Sequence, residues 1–340
     1  MMQKVNVCLI GSGRAGMIHA HNYSKSVPRG AIVAVCDPVA ATAQAAAAEL
    51  GISKWYQDYR EVLLDREVDA VLIACPTKYH REIAVAAAGA KKHIFCEKPM
   101  AMNVAECDEM IAAADQNGVK LQIGFMRRFD ESFREAKKMI EEGEIGEIVL
   151  VKSQTRGPSK PKEWMFDIAK SNGPLAEVNS HDIDTLRWLT GSEVKRVFAI
   201  GGNFRNKEVA NTYPDFYDNV IMNMEFENGM QGCIDGAMYV QYGYDARVEI
   251  LGTDGVICIG DMHEKKLLTC TRHQAMKRPT MHSWTYLFKD AYIAEDISFV
   301  NAILDNTPVA VSGFDGKMAV YVVKAGNQSI VEKKIIELIK

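Results

Sequence analysis

Apolar positions in the first third of the chain form short continuous runs that alternate with stretches of helical periodicity. Runs without a polar face are typical of central strands in a parallel sheet. The predicted strands are residues 5–10, 31–36, 70–74, 93–96 and 120–124, and the predicted helices are residues 17–25, 38–50, 59–65, 81–88 and 104–117. This alternation predicts a doubly wound parallel sheet, in which ligands lie off the carboxyl ends of the strands.

The pattern changes after residue 124, where partial apolar–polar alternation predicts a large open, mostly antiparallel sheet. The predicted strands are residues 147–155, 196–202, 218–225, 230–237, 246–251, 256–260 and 266–270, and the predicted helices are residues 131–142, 173–189, 288–304 and 315–340. One face of this sheet can pack on helices, and the other is available to a partner subunit. We therefore expect an α/β chain with two domains, residues 1–123 and 124–340, in which the C-terminal helix can pack back on the first domain.

Composition narrows the class of protein further. The 340 residues are 48% hydrophobic and 25% charged with a net charge of −4, so no basic face is indicated for nucleic acid or anionic lipid. No apolar run approaches the length of a membrane span, and the N-terminus enters a strand without a signal peptide, so a cytoplasmic location is expected. None of the eight cysteines forms a C-x-x-C pair, which argues against a zinc site, and we interpret Cys8, Cys36, Cys75 and Cys96 as small buried hydrophobes.

A glycine-rich loop follows the first predicted strand. Gly11, Gly13 and Gly16, with Arg14 and Ala15 between them, form G-x-G-x-x-G between a strand and a helix. The first glycine permits a tight turn, the second lets the backbone approach a pyrophosphate, and the third lets helix and strand pack closely. The loop therefore predicts a dinucleotide site at the helix N-terminus.

Asp37 ends the second predicted strand, about 20 residues past the last glycine, where a carboxylate can bind the ribose hydroxyls of a dinucleotide. The carboxylate would repel a 2′-phosphate, which favours NAD over NADP, although Arg14 could tolerate the phosphate. The alternative is that Asp37 is only a turn residue before Pro38.

Further candidate residues lie at or just after predicted strand ends. They are Pro76, Thr77, His80, Glu97, Lys98 and Arg127. Their convergence at one sheet edge makes them candidates for cofactor contact. Lys98 is the strongest of these, because Pro99 fixes the backbone beside it, and the alternative is a solvated surface lysine. His19 and His21 are interpreted as packing or surface residues, which is also the alternative for His80, and no metal site is expected.

Candidates for substrate contact lie in the second domain. Arg156 and Trp164 belong to a loop rich in proline and glycine that suits a substrate rim, with a solvated surface loop as the alternative. Glu177, His181 and Asp184 fall on one face of the helix predicted at 173–189, with a surface salt-bridge cluster as the alternative. Tyr292, before or within a closing helix, could reach the pocket or be a buried core aromatic.

Together these motifs resemble the glucose–fructose oxidoreductase/inositol dehydrogenase (Gfo/Idh/MocA) family, and the resemblance spans essentially the whole chain. The motifs are residues 11–16, Asp37, Glu97-Lys98-Pro99, His181-Asp182-Ile183-Asp184, Asp290-Ala291-Tyr292 and residues 313–316. The resemblance implies a Rossmann domain, tightly held NAD(P), and a homodimer or homotetramer formed through the C-terminal sheet. It also implies that Lys98 and His181 are the catalytic pair and that the substrates are sugars, inositols or glycosides.

Glu177 departs from the family pattern, because many relatives carry aspartate four residues before the histidine. Its longer side chain is expected to orient substrate or join a proton relay. Asn179 and Arg127 are further candidate substrate ligands.

The expected reaction is hydride transfer between a secondary hydroxyl and the nicotinamide. His181 acts as general base while Lys98 hydrogen-bonds the same oxygen, although burial of the lysine could exchange the two roles. Redox-neutral glycoside cleavage or epimerisation through a transient keto-sugar, and a dinucleotide-binding sensor without turnover, are the alternatives.

Overall fold

The chain divides into two compact units. This computed structural model describes residues 4–264, 267–273 and 276–338. The first unit takes in residues 1–129 and 290–320, and the second takes in residues 130–289 and 321–340. Residues 290–320 thus belong to the unit that holds the glycine-rich loop, whereas the domain boundary predicted at residue 123 places them in the second domain.

A parallel sheet forms the centre of the first unit. Within the described residues its strands are β1 Val5–Ile10, β2 Gly30–Cys36, β3 Lys54–Tyr56, β4 Ala70–Ile73, β5 His93–Glu97 and β6 Leu121–Gly124. Their order is β3-β2-β1-β4-β5-β6, and every neighbouring pair is parallel. β1 and β4 are buried on both faces because the crossover helices cover the sheet, which explains their continuous apolar runs.

The crossover helices follow the strands in turn. They are α1 Arg14–Lys25, α2 Ala40–Leu50, α3 Tyr59–Leu64, α4 His80–Gly89 and α5 Val104–Asn117. Local chemistry sets their ends: the Asn103 side chain accepts the Glu106 N–H at the start of α5, and Gly118 ends it in the left-handed region. The expected doubly wound sheet is confirmed.

A mixed sheet forms the centre of the second unit. Its strands among the described residues are β7 Ile148–Gly157, β8 Val194–Gly202, β9 Asn219–Phe226, β10 Gln231–Met238, β11 Asp245–Gly252 and β12 Val256–Ile259, and a last strand, Ile336–Glu337, at one edge. The order is β12-β11-β7-β10-β9-β8 followed by that last strand, and only the β7–β10 pair is parallel among these described strands. The expected mostly antiparallel sheet is confirmed. The strand predicted at 266–270 begins outside the described residues, and Thr269–Cys270 (β13) pairs with Met276–Lys277 (β14) in a separate ribbon.

The helices of the second unit are α6 Glu131–Glu141, α7 Glu163–Phe166, α8 Ile168–Ser171, α9 Gly173–Glu177, α10 Ser180–Thr190 and α11 Trp284–Leu287. The single helix predicted at 173–189 is wrong, because it is broken between α9 and α10. The N–H groups of Val178 and Asn179 both donate to Pro174 O, at 2.9 and 3.2 Å, which interrupts the regular helical ladder. The Asn179 amide, turned to a side-chain partner, favours such a break.

Two helices close the chain, α12 Lys289–Leu304 and α13 Gly313–Glu332. The prediction that the last helix continues to residue 340 is wrong. Lys333 adopts a left-handed φ of 54°, and the Ser329 hydroxyl donates to Lys334 O at 2.6 Å. The chain then leaves the helix, and Ile336–Glu337 (β15) pairs with β8.

Candidate dinucleotide and catalytic residues

The glycine-rich loop joins β1 to α1. Gly11 has a φ of +96°, and a Cβ at this position would lie 2.7 Å from the Cys75 nitrogen. A Cβ on Gly16 would lie 2.1 Å from the Gly11 oxygen. Around Gly13, in contrast, a Cβ would meet no protein atom within 4 Å. Two glycines therefore allow close packing of the protein with itself, and Gly13 leaves open space above the loop.

The N-terminus of α1 lies at this open space. No side chain caps the helix at Gly13, Arg14 is exposed and Ala15 is partly buried. The first-turn N–H groups and the positive end of the helix dipole can therefore bind an anionic group such as a pyrophosphate. The residues present fit the diphosphate of a dinucleotide.

Asp37 is held beside the loop by hydrogen bonds. Its Oδ2 accepts the Ser12 N–H at 3.1 Å and the Ser12 hydroxyl at 2.9 Å, and its Oδ1 accepts the Val39 N–H at 3.0 Å. The turn and the glycine-rich loop thus fix the carboxylate together. A carboxylate fixed here accepts hydrogen bonds from ribose hydroxyls and disfavours a 2′-phosphate.

The loop after β4 carries Pro76, Thr77 and His80, of which Pro76 is exposed and the other two are buried. His80 Nε2 lies 2.8 Å from Cys75 O, and its Nδ1 lies 3.0 Å from Pro99 O. Burial lowers the pKa of His80, so the neutral ring can donate its single N–H to only one of these two carbonyls. His80 therefore packs between the end of β4 and the turn that follows Lys98 and bonds to one of them. A direct contact of His80 with the cofactor stays a prediction, and its burial favours a structural role.

Glu97 and Lys98 lie where β5 ends. Glu97 is buried, and its Oε2 accepts the Lys98 N–H at 2.9 Å. Burial raises the pKa of Glu97, but its hydrogen bonds and the charges of His19 and Lys98 lower it below the ordinary value. Lys98 is partly exposed, and the peptide bond to Pro99 is cis. The Lys98 main chain is therefore anchored by the side chain of the residue before it.

Arg127 and Tyr292 complete the candidates in the first unit. Arg127 belongs to the 3-10 turn Met126–Phe129 after β6 and is 1% exposed. Tyr292 lies on α12, is buried, and packs edge-on against the His19 ring with centroids 5.3 Å apart. This position matches the alternative that Tyr292 is a buried core aromatic. A contact of Tyr292 with the cofactor stays a prediction.

His181 and Glu177 stand on either side of the helix break in the second unit. Glu177 ends α9 and is partly exposed, whereas His181 is the second residue of α10 and is 7% exposed. Asp184 lies one turn further and is buried, with its Oδ1 3.9 Å from Arg187 Nη1. Glu177, His181 and Asp184 therefore do not share one face of a continuous helix, contrary to the prediction, because the helix ends at Glu177 and a new one begins at Ser180.

A buried carboxylate fixes the start of α10. Asp182 Oδ1 accepts the hydroxyls of Ser153 at 2.5 Å and Thr155 at 2.7 Å, and its Oδ2 accepts Asn179 Nδ2 at 2.8 Å. These bonds hold the residue next to His181 against β7. A Cβ on Gly236 of β10 would lie 2.1 Å from Asn179 Oδ1, so the glycine, which has no side chain, leaves room for this amide. Asn179 is fully buried, which favours a structural role over the predicted contact with substrate.

Arg156 and Trp164 differ in their surroundings. The Arg156 guanidinium pairs with Asp235 on neighbouring β10 through Nε and Nη2. Arg156 thus belongs to strand β7 and not to the predicted loop. Its partner Asp235 could not be foreseen from the sequence around Arg156. Trp164 lies in α7 and is 37% exposed, which fits the predicted rim. Their contacts with substrate stay predictions.

Comparison with known proteins shows the family to which this chain belongs. A model described as the oxidoreductase family, NAD-binding Rossmann fold, matches residues 5–125, and a model described as the GFO/IDH/MocA C-terminal domain matches residues 133–258. A myo-inositol 2-dehydrogenase from Thermotoga maritima is 33% identical over 334 residues, which cover 98% of each chain. The chain belongs to the GFO/IDH/MocA oxidoreductase family.

Further members of the GFO/IDH/MocA family match over nearly the full length. A scyllo-inositol 2-dehydrogenase (NAD(+)) from Bacillus subtilis is 33% identical over 315 residues, which cover 93% of this chain and 91% of the relative. The crystal structure of scyllo-inositol dehydrogenase from Lactobacillus casei, with bound NAD(H) and scyllo-inositol, has a TM-score of 0.89 and 28% identity, and covers 98% of this chain and 99% of its own.

The expected family, the oxidoreductase class and the NAD cofactor are therefore confirmed. In the described part of the chain, no cluster of three histidine, cysteine or acidic side chains is arranged to bind a metal ion. No helix among the described residues has the length and apolar character needed to cross a membrane.

Two glycine variants separate close packing from NAD binding. Gly16→Ala should lower the free energy of unfolding by about 1–3 kcal/mol, because its Cβ meets the Gly11 oxygen. Gly13→Ala should leave the melting temperature of the NAD-free protein unchanged and raise the Kd for NAD about tenfold or more, because its Cβ enters the space that a pyrophosphate needs. Thermal unfolding and calorimetric titration measure both effects. Wild-type NAD affinity in Gly13→Ala would contradict this placement of the diphosphate.

A second pair of glycine variants tests whether the Asn179 amide needs the space beside Gly236. Gly236→Ala should lower the free energy of unfolding by about 1–3 kcal/mol, because its Cβ displaces the Asn179 amide and strains the start of α10. Gly157→Ala on β7 is the matched control, since its Cβ would meet nothing within 4 Å. Urea unfolding compares the two, and equal effects would mean that the amide has room to move.

Proposed function

We propose that this chain is an NAD-dependent dehydrogenase that oxidises a secondary hydroxyl of an inositol to the ketone and catalyses the reverse reaction. The observation that carries this proposal is the match, over nearly the whole chain, to inositol 2-dehydrogenases from Thermotoga maritima and Bacillus subtilis. The solved neighbour with bound scyllo-inositol and NAD(H) supports the same class of substrate. Sugars and glycosides are the wider class within which the inositol is proposed.

Bound NAD supplies the nicotinamide carbon that accepts a hydride from the carbinol carbon. In the proposed mechanism His181 takes the hydroxyl proton as general base. The Lys98 ammonium hydrogen-bonds the same oxygen and stabilises the negative charge that develops on it. The placement of Lys98 at the carboxyl edge of the parallel sheet supports this role, since nucleotide ligands bind at that edge.

The remaining proposed contacts are with other parts of the two ligands. Gly11, Gly13, Arg14, Ala15 and Gly16 bind the diphosphate, and Asp37 binds the adenosine ribose. Further proposed cofactor contacts are Pro76, Thr77, His80, Glu97, Arg127 and Tyr292. Proposed substrate contacts beyond the catalytic pair are Arg127, Arg156, Trp164, Glu177 and Asn179. Partial exposure of Glu177 and Trp164 supports these two most directly.

We also propose a homodimer or homotetramer formed through the outer face of the second sheet, in the cytoplasm. That face carries the exposed side chains of Ile200, Ile221 and Leu251 among its polar residues. Ile200 and Ile221 are direct neighbours across β8 and β9, so they form one apolar contact surface. An apolar surface of this kind is typical of a subunit interface.

The first experiment measures NADH formation by the purified protein with NAD or NADP over inositols, aldoses and glycosides, with mass spectrometry of the products. NADH formation with an inositol and NAD, and little with NADP, is the expected result. A cleaved or epimerised glycoside without net NADH would favour the redox-neutral alternative. Tight NAD binding without any turnover would favour the sensor.

Lys98→Ala should lower kcat by about 10²–10⁴-fold, because the developing charge loses its hydrogen-bond donor. The Kd for NAD should stay within about threefold of the wild type, since glycine backbone and Asp37 provide most of the proposed contacts. Lys25→Ala, an exposed lysine in the last turn of α1, is the matched control and should retain wild-type turnover. Steady-state kinetics and NAD titration test both variants. Wild-type kcat in Lys98→Ala would remove Lys98 from the mechanism.

A further inference from the structure

A buried ionic cluster surrounds His19 in the first unit. His19 lies on α1, and none of its surface is exposed. Its Nε2 lies 2.9 Å from Glu97 Oε1 at the end of β5, and its Nδ1 lies 2.7 Å from Asp296 Oδ1 on α12. The expectation that His19 is a packing or surface residue misses this cluster, because Glu97 and Asp296 lie 78 and 277 residues away along the chain.

The two partners determine the protonation of the ring. A neutral imidazole has one N–H and would turn a lone pair toward one of the carboxylates, whereas the imidazolium donates to both. Burial lowers the pKa of His19, but the charges and hydrogen bonds of Asp296 and Glu97 raise it well above the ordinary value. Burial also raises the pKa of Asp296, so the geometry of two facing carboxyl groups is the stronger argument that His19 is the imidazolium.

The far oxygens of both carboxylates are also bonded. Asp296 Oδ2 accepts Asn22 Nδ2 at 2.9 Å, which returns the cluster to α1. Glu97 Oε2 accepts the main-chain N–H of Lys98 at 2.9 Å. Gly124 on β6 closes the remaining side, because a Cβ there would lie 3.2 Å from Glu97 Oε2. A continuous path of hydrogen bonds thus runs from α12 through His19 and Glu97 to the Lys98 backbone.

We propose that His19 is a positioning residue, whose Nε2–H holds Glu97 in the rotamer that anchors the Lys98 backbone and so directs the Lys98 side chain. This inference rests on the proposed function, in which Lys98 acts on the substrate hydroxyl. His19 touches neither substrate nor cofactor in this proposal. The bond to Glu97 carries the positioning effect, and the bond to Asp296 secures the ring.

The two ring nitrogens can be replaced separately. The amide of His19→Gln approximates Nε2 and can still donate to Glu97, whereas the amide of His19→Asn approximates Nδ1 and can still donate to Asp296. Both variants remove the buried cation and one of its hydrogen bonds. Their stabilities should therefore fall together, and they differ in which bond remains: His19→Gln keeps the bond to Glu97, and His19→Asn keeps the bond to Asp296.

Kinetics of the two variants give the first readout. His19→Asn should lower kcat with an inositol by about ten- to a hundred-fold, because small displacements of a catalytic group reduce rates by such factors. His19→Gln should stay within about threefold of the wild type, and both should keep the KM for NAD. Equal losses of kcat in the two variants, following their loss of stability, would overturn the proposal.

Hydrogen exchange of the Lys98 amide, followed by NMR, gives a readout that needs no turnover. The amide should be protected in the wild type and in His19→Gln, and should exchange at least about tenfold faster in His19→Asn, as expected for a broken anchoring bond. If exchange follows this pattern while the wild type oxidises no inositol, the proposed function fails and the anchoring stands. Equal protection in both variants would overturn the anchoring.

Ring-nitrogen NMR of the wild type covers the case in which a variant does not fold. The spectrum should show both His19 nitrogens protonated at neutral pH, as the bridging geometry requires. A neutral His19 ring in the wild type would overturn the proposal.

Discussion

The hydrogen bonds of His19 to Glu97 and Asp296 join three elements of the first unit. α1 begins at the glycine-rich loop, β5 ends at Lys98, and α12 carries Tyr292, which packs on the His19 ring. A buried charge that loses its partner typically destabilises a protein by about 3–5 kcal/mol, so the three elements are constrained together. The glycine-rich loop and the end of β5 at Lys98 are consequently held by the same buried cluster around His19.

The second unit uses a buried carboxylate in a different way. Asp182 accepts hydrogen bonds from two hydroxyls and one amide, all from neutral side chains. These donors come from β7 and from the break before α10, so the carboxylate fixes the start of the helix that carries His181. Each proposed catalytic residue therefore stands beside a buried acid, Glu97 before Lys98 and Asp182 after His181. Glu97 accepts the backbone N–H of Lys98, whereas Asp182 fixes the start of α10 through side-chain donors.

Sequence reasoning recovers features that depend on local physics. Continuous apolar runs mark the parallel strands, and the spacing of Gly11, Gly13 and Gly16 follows from the close approach of backbones. The break in the helix at 178–179 and the end of α13 at Glu332 could not be predicted in this way. Asn179 bonds to Asp182, which Ser153 and Thr155 of the distant strand β7 hold in place, and the residues that follow α13 pair with β8. His19 was missed for the same reason, since its partners become neighbours only when the sheet and α12 assemble.

In the proposed reaction, the carbon that bears an inositol hydroxyl gives its hydride to NAD on this protein. The most direct measurement is a single-turnover reaction with NAD and an inositol deuterated at its carbinol carbons, followed by mass spectrometry of the nicotinamide product. NADH that carries one deuterium, together with the inositol ketone, is the expected result. A ketone formed without deuterium in the NADH, or a labelled inositol left unchanged beside bound NAD, would contradict it.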